Sequence, residues 1–150
     1  MAHTFTHLLT HIIFSTKDRA PLLDPELKER LFPYLGGIIR AHDGKVLIIN
    51  GPNDHVHILA SLAAKHALSD LMRELKADSS GWIHKAFPAR QDFAWQIGFG
   101  AFSVSHSNLE SVQRYIANQE EHHRKTSFQD EFVAFLKRHG SEYDERYLWK

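Results

Sequence analysis

Two short apolar runs, Val46-Leu47-Ile48-Ile49 and His55-Val56-His57-Ile58-Leu59-Ala60, flank the turn signal Gly51-Pro52-Asn53-Asp54. Glycine, proline and asparagine between two strand-forming runs read as a β-hairpin. This hairpin fixes the middle of the fold, and the flanking segments constrain the rest. Thr4 to Ser15 mixes β-branched and apolar residues and predicts a strand. Residues 24–42 open with Asp24-Pro25-Glu26, an N-cap followed by proline at the first helical position. Leu27, Leu31, Leu35 and Ile38 then recur at helical spacing until Asp43-Gly44. After the hairpin, Ser69-Asp70 starts a helix carrying Leu71, Met72 and Leu75. Phe93 to Ser105 predicts a fourth strand, and Asn108 caps a helix from Leu109 to about His122. Strand, helix, strand, strand, helix, strand is the split βαβ order. The expectation is an α+β fold: a ferredoxin-like antiparallel sheet with helices on one face, a C-terminal tyrosine-bearing helix and an apolar tail.

The 150 residues suit one domain, and 43% apolar content supplies a core. Residues 1–126 read as the body, and 127–150 as a C-terminal helix and docking tail of the same domain. Phe128, Phe132, Phe135 and Leu136 give that helix an apolar face. Tyr143, Tyr147, Leu148 and Trp149 make a tail that must dock on its own domain or on a partner subunit. No apolar run is long enough to cross a bilayer, and Met1-Ala2-His3-Thr4 lacks a signal-peptide layout, so the expectation is a cytoplasmic protein. Absent cysteine excludes disulfides and thiolate metal sites. Eighteen Lys+Arg balance eighteen Asp+Glu. Duplex binders that rely on bulk charge are usually basic, whereas single-strand binders can rely on local grooves and aromatic stacking.

The sharpest local feature is Asp54-His55-Val56-His57. Alternate strand residues share a face, so both imidazoles point one way and Val56 and Ile58 the other. Two such imidazoles can converge on one cation at ~2.0–2.2 Å per nitrogen. An isolated His-x-His fits two idle strand histidines equally well. Tyr115 and Gln119, four apart, share a face of the predicted last helix, with Val112 and Ile116 on a neighbouring stripe. A lone tyrosine on an amphipathic helix is most often a packed aromatic.

Taken together, these residues resemble a family. His55-Val56-His57 within Asn53 to Leu59 resembles the "DHVH" strand of the HUH single-tyrosine transposases, the group found in 200-like insertion sequences that includes the REP-associated tyrosine transposases. Tyr115-Ile116-Ala117-Asn118-Gln119 is similar to its "YIxxQ" helix, and Thr16-Lys17-Asp18-Arg19 to its "K-x-R" segment. Trp95 to Val104 resembles its "WQ" strand, with Phe99 where relatives commonly carry tyrosine. Ser69 to Ser80 resembles its second helix, and Glu120 through Trp149 the ending of one branch. The likeness covers nearly the whole chain.

The resemblance implies that Tyr115 attacks single-stranded DNA and forms a covalent 5′-phosphotyrosine. It implies that His55, His57 and Gln119 hold one Mg²⁺ or Mn²⁺, that the DNA carries hairpins near its ends, and that the protein is a homodimer. Lys17, Arg19, Arg73, Lys76, Arg114 and Lys125 are candidate DNA contacts, each equally readable as a solvated charge. Three readings follow: a transposase, a domesticated relative that cuts hairpin repeats, or a His-x-His phosphoester hydrolase or non-catalytic nucleic-acid-binding module. A histidine-triad hydrolase would want a further histidine at Leu59. The other histidines take plainer readings. His3, His7 and His11 lie along one strand face, and His122-His123 end a helix, where the dipole favours cations. Glu120 and Glu121 read as surface charges.

Overall fold

The computed structural model describes residues 4–149. The elements are β1 (Leu8–Ser15), α1 (Pro25–Ala41), β2 (Lys45–Asn50), β3 (His55–Leu62), α2 (Leu68–Ala86), β4 (Gly100–Ser103), α3 (Leu109–Ala117), α4 (Gln119–His122) and α5 (Phe128–Arg138). The strands form one antiparallel sheet in the order β2-β3-β1-β4. This is the expected α+β split βαβ sheet.

Strand alternation divides the molecule into layers. Ile12 and Phe14 of β1, with Val56, Ile58 and Ala60 of β3, join Leu27, Leu31 and Leu35 of α1 and Met72, Leu75 and Ile83 of α2 in the main core. The opposite face carries His11 and Ile13 of β1, His55 and His57 of β3 and Phe102 of β4. There Ile13 and Phe102 pack with Phe128, Phe132 and Phe135 of α5. Helices therefore cover both faces, α1 and α2 on one and the C-terminal helices on the other. Leu148 and Trp149 pack on this second cluster, so the tail docks on its own domain while Tyr147 stays exposed.

The Asp24 side chain caps α1 by accepting from the Leu27 amide at 2.9 Å. Several boundaries differ from expectation for tertiary reasons. β1 starts at Leu8, not Thr4, because its partner β3 ends opposite, at Leu62. α2 continues past Ser80 to Ala86, since Ile83 is buried and Trp82 stacks on Tyr34 at 4.5 Å between centroids. The strand expected over Phe93 to Ser105 shrinks to four residues, with one isolated bridge from Trp95 to Thr16. Between them the Lys76 ammonium donates to the carbonyls of Gln96, Ile97 and Gly98, and so pulls this stretch toward α2. Asn108 makes no side-chain cap; it closes a 3₁₀ turn that leads into α3. The single helix expected to His122 breaks at Asn118, which sits at φ −100°, ψ 23°.

Two glycines permit close approaches that build the second face. A Cβ on Gly51 would lie 2.2 Å from the His55 carbonyl oxygen, so the hairpin closes tightly only with glycine there. A Cβ on Gly100 would lie 2.5 Å from Phe132 Cε1, so glycine lets α5 sit directly on β4.

Candidate active site

His55 and His57 project from β3 onto the second face as alternation requires, and both are fully buried. The start of β3 is anchored by Thr16, whose amide donates to the Asp54 carbonyl at 2.9 Å. The Asp54 carboxylate in turn accepts a hydrogen bond from His55 Nδ1 at 2.7 Å. A carboxylate behind one imidazole nitrogen fixes the ring and leaves the other to face the site. His57 is backed by His11, with Nε2 of His11 and Nδ1 of His57 2.8 Å apart. Burial holds His11 down to about 3 and His57 to about 4, so both rings are neutral near pH 7. Neutral His57 presents Nε2 to Glu131 Oε1 at 2.9 Å and Nδ1 to His11, and the tautomer that leaves Nε2 a lone pair for a cation donates from Nδ1 to His11 Nε2.

Glu131 of α5 is the centre of the site and is 3% exposed. Its Oε1 lies 3.2 Å from His55 Nε2 and 2.9 Å from His57 Nε2. Its Oε2 lies 3.1 Å from His123 Nε2 and 3.2 Å from His122 Nε2, and it accepts the Tyr115 hydroxyl. Burial alone would raise the carboxyl, but the imidazoles of His123, His55 and His57 hold it well below the usual carboxylate range. Burial pushes His55 down, yet the Asp54 and Glu131 carboxylates outweigh that, and the ring is raised overall. Burial, reinforced by Glu131, pushes the Tyr115 phenol well above its ordinary value.

The expected nucleophile is therefore beside the expected histidine pair within one chain. Tyr115 comes from α3, whose end is held on the sheet by Asn50. The Asn50 amide donates to the Ile116 carbonyl at 2.9 Å and the Ala117 carbonyl at 3.3 Å. Gln119 is fully buried, and its Nε2 reaches the Tyr115 carbonyl at 3.4 Å.

His55, His57, His123 and Glu131 present ligand atoms all within 4.8 Å of one another, a group that could hold a metal ion. Three buried polar atoms at or beside this cluster make no hydrogen bond of good geometry: His55 Nε2, His123 Nε2 and Gln119 Oε1. Each can offer a lone pair to a cation, and buried polar atoms left so call for such an explanation. Two ligands about 2.1 Å from one ion and at right angles lie about 3.0 Å apart. The separations around Glu131 Oε1 match that spacing. The residues present thus fit a divalent ion.

Sequence reasoning missed Glu131, His123 and His11. Glu131 carried a signal: it shares the 128, 132, 135 stripe of α5, where an apolar residue belongs. His122 and His123 face Glu131, so the helix dipole is not their main partner. His3 lies outside the described residues, and the His7 ring lies beside that of His106, 5.7 Å between centroids. Glu120 and Glu121 are surface charges as expected, 3.7 Å from Lys28 and 2.9 Å from Arg124. The six basic candidates do not gather in one place. Lys17, Arg73 and Lys76 surround residues 94–97, in adjoining surface hollows. Lys76 is tied to carbonyls, and burial lowers it to about 8. Arg19 sits over the Trp149 ring at 5.6 Å, while Arg114 pairs with Glu110 on the exposed side of α3 and Lys125 is exposed.

A buried histidine pair on β3, an inner strand of the sheet, thus faces a tyrosine from a covering helix. The family model described as "Transposase IS200 like" matches residues 4–119. The chain belongs to the IS200-like transposase family. The ISDra2 transposase TnpA of Deinococcus radiodurans is 26% identical over 114 residues, which cover 73% of this chain and 81% of that protein. A Deinococcus radiodurans crystal structure described as a candidate transposase aligns at a TM-score of 0.66 and 25% identity, over 79% of this chain and 95% of the other. The REP-associated tyrosine transposase bound to a REP hairpin aligns at a TM-score of 0.54 and 13% identity, over 79% and 70%, a likeness of fold. Among the described residues no helix is long and apolar enough to cross a membrane.

Proposed function

We propose that this transposase cuts and rejoins single-stranded DNA through a covalent 5′-phosphotyrosine on Tyr115, with a divalent ion held by His55, His57 and Gln119. One observation carries the reading: the Tyr115 hydroxyl and the buried His55–His57 pair meet at one carboxylate. The Tyr115 oxygen attacks the scissile phosphorus and gives up its phenolic proton, the bond to the 3′ oxygen breaks, and that oxygen takes up a proton and leaves as the 3′ hydroxyl, so one proton is released and one consumed. The reverse attack by a 3′ hydroxyl expels Tyr115 and restores a phosphodiester, so no ATP is needed. When bound, the ion polarises the phosphate and eases departure of the leaving oxygen. Asp54 and His11 orient the two imidazoles from behind, and Asn50 holds α3 so that Tyr115 faces them. Imidazole-rich ligation suits Mn²⁺ better than Mg²⁺, which prefers oxygen.

The substrate we propose is DNA with hairpin ends, as in the hairpin-bound relative of the same fold. In this reading Lys17 and Arg73 meet its backbone near residues 94–97 and Arg19 beside Trp149, with Lys76 shaping that surface and Arg114 and Lys125 contributing from the C-terminal face. Homodimer assembly, implied by the family resemblance, would give each chain its own site, because one chain brings Tyr115 and the histidines together.

Removal of the metal tests the reading. Single-stranded DNA copied from both flanks of the gene is incubated with the protein in Mn²⁺ or in chelator. Cleavage is expected only with Mn²⁺, and readdition after chelation should restore it. Undiminished cutting in chelator would overturn the metal role.

A further inference from the structure

The family match ends at residue 119, yet the group at the centre of the site lies beyond it, on α5. Glu131 occupies a stripe otherwise filled by Phe128, Phe132 and Phe135. Burying a carboxylate among phenylalanines is costly unless it is paired. Its two oxygens face different partners. Oε1 faces the Nε2 atoms of His55 and His57, and Oε2 faces the Tyr115 hydroxyl and His123. A residue needed only for packing would not be acidic, and one needed only to bind Tyr115 would not also sit 2.9 Å from His57 Nε2.

We propose that Glu131 couples the nucleophile to the metal, ligating the ion through Oε1 beside the histidine pair while Oε2 holds the Tyr115 hydroxyl. This rests on the functional reading above and adds a carboxylate ligand from the C-terminal helix. It follows that α5 is part of the active site. Its position is fixed by Gly100, which admits Phe132, and by the docked Leu148 and Trp149. Metal uptake and nucleophile placement then respond to each other, because one carboxylate serves both.

The test is a double-mutant cycle on Mn²⁺ affinity, measured by titration calorimetry without DNA, for the wild type, Glu131→Gln, Tyr115→Phe and the double variant. Melting curves confirm that each is folded. Glu131→Gln keeps the side-chain shape and is expected to weaken Mn²⁺ binding at least about tenfold, the scale of losing a supporting group at a metal site. Tyr115→Phe frees Oε2 and is expected to tighten binding a few-fold in the wild-type background, with no effect in the Glu131→Gln background. Unchanged affinity in Glu131→Gln, or the same Tyr115→Phe effect in both backgrounds, would overturn the coupling while leaving the metal site standing. No Mn²⁺ uptake by the wild type would overturn the functional reading and the coupling together.

Discussion

Replacing Tyr115 with phenylalanine is expected to abolish both cleavage and the covalent protein–DNA adduct while leaving a folded protein. Only the hydroxyl is lost. The ring keeps its edge contacts with Phe135 at 5.6 Å and His57 at 5.9 Å. The lost hydrogen bonds run to Glu131 and to His122 Nε2, the latter at 3.1 Å. That costs about 1 kcal/mol, because Glu131 retains several imidazole partners. For a domain of this size it lowers the melting temperature by roughly 2–4 °C. The loss of rate should reach at least about 10⁴-fold, as removal of a covalent nucleophile does elsewhere. Residual metal-dependent cutting near the wild-type rate would mean that water attacks instead, and the hydrolase reading would return.

The second large effect falls on His57. His57→Ala removes the ring that joins His11 to Glu131. It is expected to weaken Mn²⁺ binding by about 100-fold or more, beyond the loss typical of a supporting group. It also harms the metal-free fold, and more than the tyrosine change does. A fully buried side chain leaves a cavity, and the His11 Nε2 loses its partner. The expected cost is on the order of 1–3 kcal/mol, read as a melting shift of several degrees without metal. The two variants thus separate cleanly: Tyr115→Phe binds metal and does no chemistry, whereas His57→Ala is less stable and binds metal poorly. Normal Mn²⁺ affinity in His57→Ala would place the metal elsewhere.

Much of this was legible in the sequence because it is local. The Asp24-Pro25 start of α1, the hairpin around Gly51-Pro52 and the shared face of His55 and His57 need only neighbouring residues and the strand period. The likeness to a known family supplied what spacing alone left open, the expectation that Tyr115, Gln119 and the histidine pair act together. The parts that could not be read arise from contacts across the fold. The fourth strand is shortened by Lys76, twenty or more positions away, which captures three carbonyls. The tyrosine helix breaks at Asn118, just after the carbonyls that Asn50 holds from the sheet. Glu131 meets His57 across 74 positions, and His11 meets it across 46. Only its place in an apolar stripe marked Glu131, and that mark names no partner.

The most direct measurement is to map the covalent adduct. The protein is incubated with single-stranded DNA from the gene's flanks in Mn²⁺, treated with nuclease and trypsin, and analysed by mass spectrometry. Trypsin cuts after Arg114 and Arg124, so Tyr115 lies in a peptide that contains no other tyrosine. A nucleotide remnant on Tyr115 of that peptide is the expected result. A remnant on Tyr34, Tyr143 or Tyr147, or cleaved DNA with no modified peptide, would contradict Tyr115 as the nucleophile.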